Sequence, residues 1–250
     1  MKIMDTPPGN RMSRYLDVVR KLFTGAAASR PEKETILIVD DDPDISYLIR
    51  LFLEKRGYPN LIASGGQECL DILKRERPGV ILLDVLMAPM DGWKTLEHIK
   101  KDPLTREIPI LILTGKAITP DEARQYNICI EDYIMKPFGQ NDLYAAIDQV
   151  LMRKQKIRES LRLAREAGVD REIFCEFAKL SRHVSVNRKL IGMLQQNYRG
   201  PVREEITNTE AKRVIEQMVV ATRSSEDRIE QLKREIGSAF SARGLPAPSW

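Results

Sequence analysis

The sequence is poor in the residues that carry most metal-binding and nucleophilic chemistry. Its 250 residues include three cysteines and two histidines, and aromatic side chains make up 6%. An odd number of cysteines without a shared ligand spacing argues against a disulfide framework and a zinc site, so we expect Cys69, Cys129 and Cys175 to be reduced thiols. The chain has no run of 18 apolar residues and no signal-peptide core at its amino terminus, which predicts a cytoplasmic protein without a membrane span.

The net charge of +4 is small, and by itself it favours neither a nucleic-acid binder nor a membrane protein. The charge is segregated, however: residues 1–34 carry a balance of +3, residues 35–150 of −6 and residues 151–250 of +7. A hydrophobic content of 42% excludes wholesale disorder. The length exceeds that of one ordinary domain, so we expect one domain and a substantial further region.

Short apolar runs alternate with helical stretches five times between residues 35 and 150. The strand candidates are residues 36–39, 60–63, 80–83, 110–113 and 133–135. The predicted helices cover residues 44–56, 67–77, 92–101 and 120–126, and a fifth begins at residue 140. Runs that are apolar throughout are typical of parallel strands covered on both faces. Five such units predict an α/β domain with a five-stranded parallel, doubly wound, flavodoxin-like sheet.

Beyond residue 150 the strand pattern stops and the sequence is helical. A heptad seam continues out of the fifth helix through Leu143, Ile147, Val150, Lys154, Ile157, Leu161 and Ala164. Gly168 interrupts it, a second helix begins after Asp170 as N-cap and ends at Gly200-Pro201, and a third covers about residues 210–240. We therefore divide the chain into an amphipathic arm with a linker (1–34), the α/β domain (35–152) and an all-helical region (153–250). The basic face of the arm is compatible with docking on protein or with lying on an anionic membrane.

Polar side chains stand where the ligand site of a parallel sheet is expected, at the carboxyl ends of the strands. Asp40 and Asp41 follow the first strand, Asp84 the third and Thr114 the fourth, and Lys136 comes after the fifth. Clustered carboxylates need a cation, and ligands that are all oxygen suit Mg²⁺. A carboxylate beside such an ion can attack phosphorus, while a hydroxyl and an ammonium hold the phosphoryl oxygens.

Four sequence blocks resemble those of the receiver domain of two-component response regulators, the CheY-like family. They are Val39-Asp40-Asp41-Asp42, Leu83-Asp84-Val85-Leu86-Met87 with Met90-Asp91-Gly92, Leu113-Thr114-Gly115, and Asp132-Tyr133-Ile134-Met135-Lys136-Pro137-Phe138. Their order and spacing make the match specific, and it covers about residues 34–152. The resemblance implies a phosphorelay protein whose partner is a sensor histidine kinase. It implies no enzyme activity beyond the chain's own phosphorylation and dephosphorylation.

The resemblance also implies roles for the acidic residues. Asp84 resembles the phosphoacceptor and a Mg²⁺ ligand. Asp41 resembles a direct ligand, Asp40 the carboxylate that holds a metal-bound water, and the backbone carbonyl of Leu86 a further ligand.

Three other positions resemble the family's phosphoryl-binding and switch residues. Lys136 corresponds to the phosphoryl-binding lysine, Thr114 to the switch hydroxyl, and Tyr133 to the aromatic residue that turns inward when that hydroxyl engages the phosphate. The sequence departs from the family in two places: the loop proline is Pro89, one residue later than usual, and Gly115 stands where alanine is common. Neither departure removes a chemical group.

The output must be sought in the helical region, where three interpretations stay open. The heptad seams favour a module for dimerisation, as a homodimer, or for protein–protein interaction. The pattern between Leu163 and Phe177 is compatible with a helix-turn-helix that binds DNA with the help of the +7 charge, although Glu172 and Glu176 would stand on its recognition helix. An enzymatic output is the weakest interpretation, because the region has one histidine, His183, and no phosphate-binding loop or nucleophile–base pair.

Overall fold

The computed structural model describes residues 33–197 and 205–244. Five strands form one parallel sheet with the order β2-β1-β3-β4-β5, which confirms the predicted doubly wound fold. The strands are β1 (Ile36–Val39), β2 (Asn60–Ala63), β3 (Val80–Asp84), β4 (Ile110–Thr114) and β5 (Asp132–Met135). The predicted amphipathic arm, the Gly200-Pro201 helix end and the last six residues lie outside the described residues.

Seven helices are present among the described residues. They are α1 (Pro43–Lys55), α2 (Gly66–Leu73), α3 (Gly92–Lys101), α4 (Pro120–Tyr126), α5 (Gln140–Glu166), α6 (Arg171–Asn197) and α7 (Glu205–Ser241). Their starts follow local capping: Asp42 accepts hydrogen bonds from the first turn of α1, and Thr119 with Glu122 forms a capping box on α4. Helix α2 ends four residues before the predicted residue 77. Pro78 disfavours a helical Arg77, whose guanidinium instead bonds the carbonyl of Leu73.

The sheet is covered on both faces. Helices α2, α3 and α4 contribute to the buried cluster on one face, and α1 with the first half of α5 contributes to the cluster on the other. The residues of β1, β3 and β4 are all buried. This burial explains why these strands have continuous apolar runs and not alternating ones.

Helix α5 leaves the sheet and continues into the helical region. Gly168, with a φ of 62°, ends the helix in the left-handed conformation that favours glycine, and Asp170 then caps α6 by accepting from the amide of Glu172 at 2.8 Å. Contacts pair early residues of α6 with late residues of α7, such as Glu176 with Arg228, so these two helices are antiparallel.

The heptad seam of α5 is packed within its own chain. Its residues 143–150 lie in the sheet cluster, Lys154 pairs with Glu34, and Ile157 and Leu161 pack against a third cluster. That cluster contains Ala164, Ala167, Phe174, Ile236 and Phe240. Periodicity thus identified an apolar stripe that packs within the chain on the sheet and on the third cluster, with Ile157 and Leu161 partly exposed; pairing with a second copy stays a prediction.

The α6–α7 hairpin packs on the α/β domain. Both helices contact α4, and several of their buried residues belong to one continuous cluster with the core of the sheet. Ion pairs border this contact, with Arg182 Nη1 at 2.7 Å from Glu131 and Lys189 Nζ at 2.5 Å from Asp132. Among the residues that the structure describes, no helix has the length and apolar character that a membrane span requires.

Candidate functional site

The three acidic residues expected at the sheet edge lie together. The parallel register pairs Val39 with Leu83, so the next residues, Asp40 and Asp84, stand side by side at the carboxyl ends of β1 and β3. Oxygen atoms of Asp40, Asp41 and Asp84 lie within 4.8 Å of one another. Asp40 is 2% exposed and Asp84 is 4% exposed, while Asp41 faces solvent.

Backbone amides orient each of these carboxylates. The amide of Asp42 donates to Asp40 Oδ1 at 3.0 Å, that of Leu86 to Asp84 Oδ1 at 3.3 Å, and that of Ala88 to Asp41 Oδ2 at 3.2 Å. In Asp40 and Asp84 the second oxygen, Oδ2, remains for other partners. Leu86 thus belongs to the loop that holds Asp84 in place.

Lys136 supplies the positive charge of the site. Its Nζ donates to Asp40 Oδ2 at 2.6 Å and to Asp84 Oδ2 at 3.0 Å. Burial opposes its charge, but the bonds to the two carboxylates prevail and raise the pKa of Lys136. For Asp40, burial prevails over the bond from Lys136 and raises the pKa, so its charged form is disfavoured without a further cation.

The donor set fits a divalent cation. Three ionised carboxylates and one ammonium leave a formal charge of −2, and two of the carboxylates are buried. Buried charges of one sign are costly unless a counter-ion balances them. Oxygen ligands without nitrogen or sulfur are typical of Mg²⁺ and Ca²⁺ sites. Asp40, Asp41 and Asp84 could therefore hold such an ion.

Both predicted switch residues bond to the same residue, Lys116. Thr114 is buried at the end of β4, and its Oγ1 accepts from the amide of Lys116 at 3.1 Å. Tyr133 is turned inward, donating from its Oη to the carbonyl of Lys116 at 2.9 Å, and burial raises its pKa to about 12. The segment after β4 therefore connects the two side chains.

Lys116 and Glu122 are parts of the site that the sequence did not reveal. Lys116 Nζ lies 2.8 Å from Glu122 Oε1, and the same carboxylate accepts from Trp93 Nε1 at 2.9 Å. Burial opposes the charge of Glu122, but these bonds and those of Thr119 prevail and lower its pKa. The spacing from Thr119 to Glu122 is that of a capping box and could have pointed to Glu122 as a helix-start residue, whereas its pairing with Lys116 depends on tertiary structure.

Gly92 and Gly115, two glycines of the sequence blocks, differ in the space available for a side chain. A Cβ at Gly92 would lie 2.0 Å from the carbonyl oxygen of Asp84, so only glycine lets α3 begin this close to β3. A Cβ at Gly115 would meet nothing within 4 Å. The position tolerates either glycine or alanine, and the departure there removes no contact.

Comparison with known proteins yields two family matches. The family described as response regulator receiver domain matches residues 36–148, and the family described as "Metanogen output domain 2" matches residues 153–240. The second match covers most of the helical region, which begins within α5 and includes α6 and α7.

Individual relatives resemble the first half of the chain. The phosphate regulon transcriptional regulatory protein PhoB of Pseudomonas aeruginosa is 36% identical over 120 residues, 48% of this chain and 52% of that protein. The DNA-binding dual master transcriptional regulator RpaA of Synechocystis is 31% identical over 125 residues, 50% of this chain and 52% of that protein. The chain thus spans about half the length of the curated relatives it matches.

A solved structure also matches this half. It is the N-terminal domain of a response regulator receiver protein from Methanoculleus marisnigri JR1, which is 52% identical. The match covers 47% of this chain and 96% of that one, with a TM-score of 0.41.

Proposed function

Because the chain belongs, through residues 36–148, to the response regulator receiver family, we propose that Asp84 accepts a phosphoryl group from a sensor histidine kinase. The phosphoryl group then changes how the helical region packs. The observation that carries this proposal is the position of the buried Asp84 beside Asp40, Asp41 and Lys136. We also propose that residues 35–152 are the input domain and residues 153–250 the output region, preceded by the arm of residues 1–34.

The acceptor chemistry follows from the groups around Asp84. An oxygen of its carboxylate forms a bond to phosphorus, and the bond from phosphorus to the donor nitrogen breaks, with the electron pair staying on that nitrogen. Lys136 is close enough to hold a phosphoryl oxygen, since its Nζ already contacts the attacking carboxylate at 3.0 Å. Bound by Asp40, Asp41, Asp84 and the carbonyl of Leu86, Mg²⁺ would neutralise negative charge at the phosphoryl group.

The hydroxyl of Thr114 is suited to sense the modification. Its oxygen accepts from the amide of Lys116, so its proton remains available for a phosphoryl oxygen on Asp84. A movement of Thr114 toward that oxygen would disturb Lys116, whose carbonyl bonds Tyr133 and whose ammonium bonds Glu122 on α4. Since α6 and α7 both pack on α4, the movement reaches the output region.

The output that the packing favours is a regulated protein–protein interaction. Apolar residues of the hairpin, including Leu190, Leu194 and Met218, are buried in the cluster that continues into the α/β domain. A change in α4 would expose part of this surface to a partner protein. Pairing of two copies through that surface is one form that such an interaction could take.

Transcriptional regulation through DNA is the second candidate. The +7 charge of residues 151–250 favours it, and PhoB and RpaA carry names of transcriptional regulators, although they match only the first half of this chain. The proposed recognition helix is here the start of the 27-residue α6, where Phe174 is buried and Glu176 pairs with Arg228. Retention on duplex DNA that weakens steeply with salt would support this candidate over protein interaction.

The primary proposal is tested by labelling. A small-molecule phosphodonor with Mg²⁺ should add a single acid-stable, hydroxylamine-sensitive phosphoryl group, and Asp84→Asn should abolish it because the amide is not a nucleophile. Asp121→Asn, a change of the same kind at an exposed position of α4, should leave the label intact. A label that survives Asp84→Asn would refute the assignment.

The effect on the output is measured by amide hydrogen exchange of the phosphorylated protein. We expect faster exchange in residues 186–194 of α6, which lie in the cluster shared with the α/β domain, than in the unphosphorylated protein. Unchanged exchange throughout α6 and α7 would contradict the proposed coupling while leaving the acceptor assignment in place.

A further inference from the structure

A cavity of about 730 Å³ lies in the helical region, between α5, α6 and α7. None of the residues that line it belongs to the acidic cluster at Asp84. Its volume falls in the range of about 300–1,000 Å³ that small-molecule sites occupy. Such sites combine apolar surface with polar groups, and the lining here contains both apolar and charged side chains.

The three helices each contribute apolar residues to the cavity lining. Ile157 lies on α5, Phe174 and Phe177 on α6, and Ile229 on α7. The two phenylalanine rings are 6.1 Å apart between centroids and tilted by 53°. Phe174 and Ile229 are 4% and 8% exposed, so the partly exposed Ile157 and Phe177 present more of the apolar surface that a flat apolar group could contact.

Three basic residues of the cavity lining, Arg153, Lys156 and Arg182, are only partly balanced by acidic groups. Arg153 and Arg182 both pair with a single carboxylate, Glu131, at 3.1 and 2.7 Å. Lys156 forms no ion pair within the part of the chain that the structure describes. The three cations therefore face one anion, and the buried Nε of Arg182 has no acceptor among the described residues. An anionic ligand would supply the missing charge.

The other charged residues of the lining add little net charge. Arg188 Nη2 lies 2.7 Å from Glu226, and Lys233 Nζ lies 2.7 Å from Glu230, so these four groups neutralise each other in pairs. Asp227 is the remaining acidic residue of the lining. The lining together with Glu131 thus has an excess of one positive charge, and Arg153 and Arg182 share a single carboxylate.

We propose that this cavity binds a small amphipathic anion, whose apolar body lies on Ile157 and Phe177 and whose carboxylate or sulfonate lies between Lys156 and Arg182. The ligand competes with Glu131 for the two arginines. Glu131 directly precedes β5, so ligand binding acts on the contact between the helical region and the α/β domain. The site itself does not depend on the phosphorylation of Asp84.

The test uses two fluorescent probes that differ only by a sulfonate group, which carries one negative charge. 8-Anilinonaphthalene-1-sulfonate is the anion, and N-phenyl-1-naphthylamine is its uncharged counterpart. In fluorescence titrations of the full-length protein, Lys156→Gln should weaken binding of the sulfonate about tenfold, since it removes a charged partner. The same variant should leave the affinity for the uncharged probe unchanged.

Two further variants locate the site. Lys179→Gln removes a different exposed lysine, on α6 and outside the cavity lining, and should change neither affinity. Ala178→Phe places a ring in the cavity and should weaken both probes. Equal losses for Lys156→Gln and Lys179→Gln would overturn the proposal, because they would indicate attraction by overall charge. So would wild-type affinity for both probes in a folded Ala178→Phe variant.

Discussion

Leu190 of α6 provides the most direct perturbation of the contact between the two halves of the chain. It is 1% exposed and belongs to the same buried cluster as Ala123 of α4 and Ile130, which precedes β5. Leu190→Ala removes three carbon atoms at roughly 0.8 kcal/mol each, about 2.4 kcal/mol, to which the residual cavity adds a further contribution. We expect a loss of about 3 kcal/mol in the free energy of unfolding.

The assay places the reporter in the other half of the molecule. Trp93 of α3 is buried and stacked on Tyr126 at 4.4 Å, so its fluorescence reports on the α/β domain. In a Trp250→Phe background it is the only tryptophan. The loss of about 3 kcal/mol should lower the midpoint of thermal unfolding by about 6–12 °C, as followed by Trp93.

The outcome decides whether the two halves unfold together. A Trp93 transition that stays at its original temperature, while the helical signal in circular dichroism falls earlier, would refute the shared core. Leu104→Ala is the matched control, because Leu104 is 70% exposed and its truncation should change stability by no more than about 0.5 kcal/mol.

Two further predictions concern the helical region. Burial, and secondarily Arg182, lower the pKa of His183 below its usual 6.5, so the folded state favours the neutral ring. The free energy of unfolding should therefore be at its full value above about pH 6.5 and fall as the pH drops below it. Thermal melts between pH 5.5 and 7.5 should show this fall in the wild type and lose it in His183→Gln, and an equal slope in both would contradict it. Gly168→Ala should cost about 1–2 kcal/mol in urea unfolding, since φ is 62° and the new Cβ would contact Arg243. Gly192→Ala, in helix α6 with open space around it, should stabilise by up to about 1 kcal/mol, and equal effects of the two variants would refute this distinction.

The sheet and the acidic cluster were predictable because their causes are local in the sequence. A continuous apolar run such as residues 80–83 indicates a strand buried on both faces, and the parallel order then brings the next residue, Asp84, beside Asp40. Asp132 was missed as part of β5 because its side chain is polar. Its backbone nevertheless pairs with Leu111, and its carboxylate pairs with Lys189 of α6.

The partners of an apolar face were not predictable from its periodicity. The seam of α5 has the spacing of a coiled coil, yet within the chain residues 143–150 pack on the sheet, and Ile157 and Leu161 pack against the third cluster. The same limit applies to Lys116 and Glu131, which are charged residues without a motif. Their importance comes from contacts between elements distant in the chain, with Glu122 in one case and with Arg153 and Arg182 in the other.

Under the proposed phosphorylation of Asp84, the contact between α4 and the hairpin determines how strongly the modification acts on the helical region. Coupling between two sites is reciprocal, so a packed hairpin that opposes movement of α4 must oppose phosphorylation of Asp84 by the same free energy. The Lys189–Asp132 pair at the border is 46% exposed on the lysine and contributes little, whereas the Arg182–Glu131 pair is more buried, at 25% and 10%. Buried apolar residues of the two helices, Leu190 among them, form the other part of this contact, and couplings carried by such contacts typically reach about 1–3 kcal/mol.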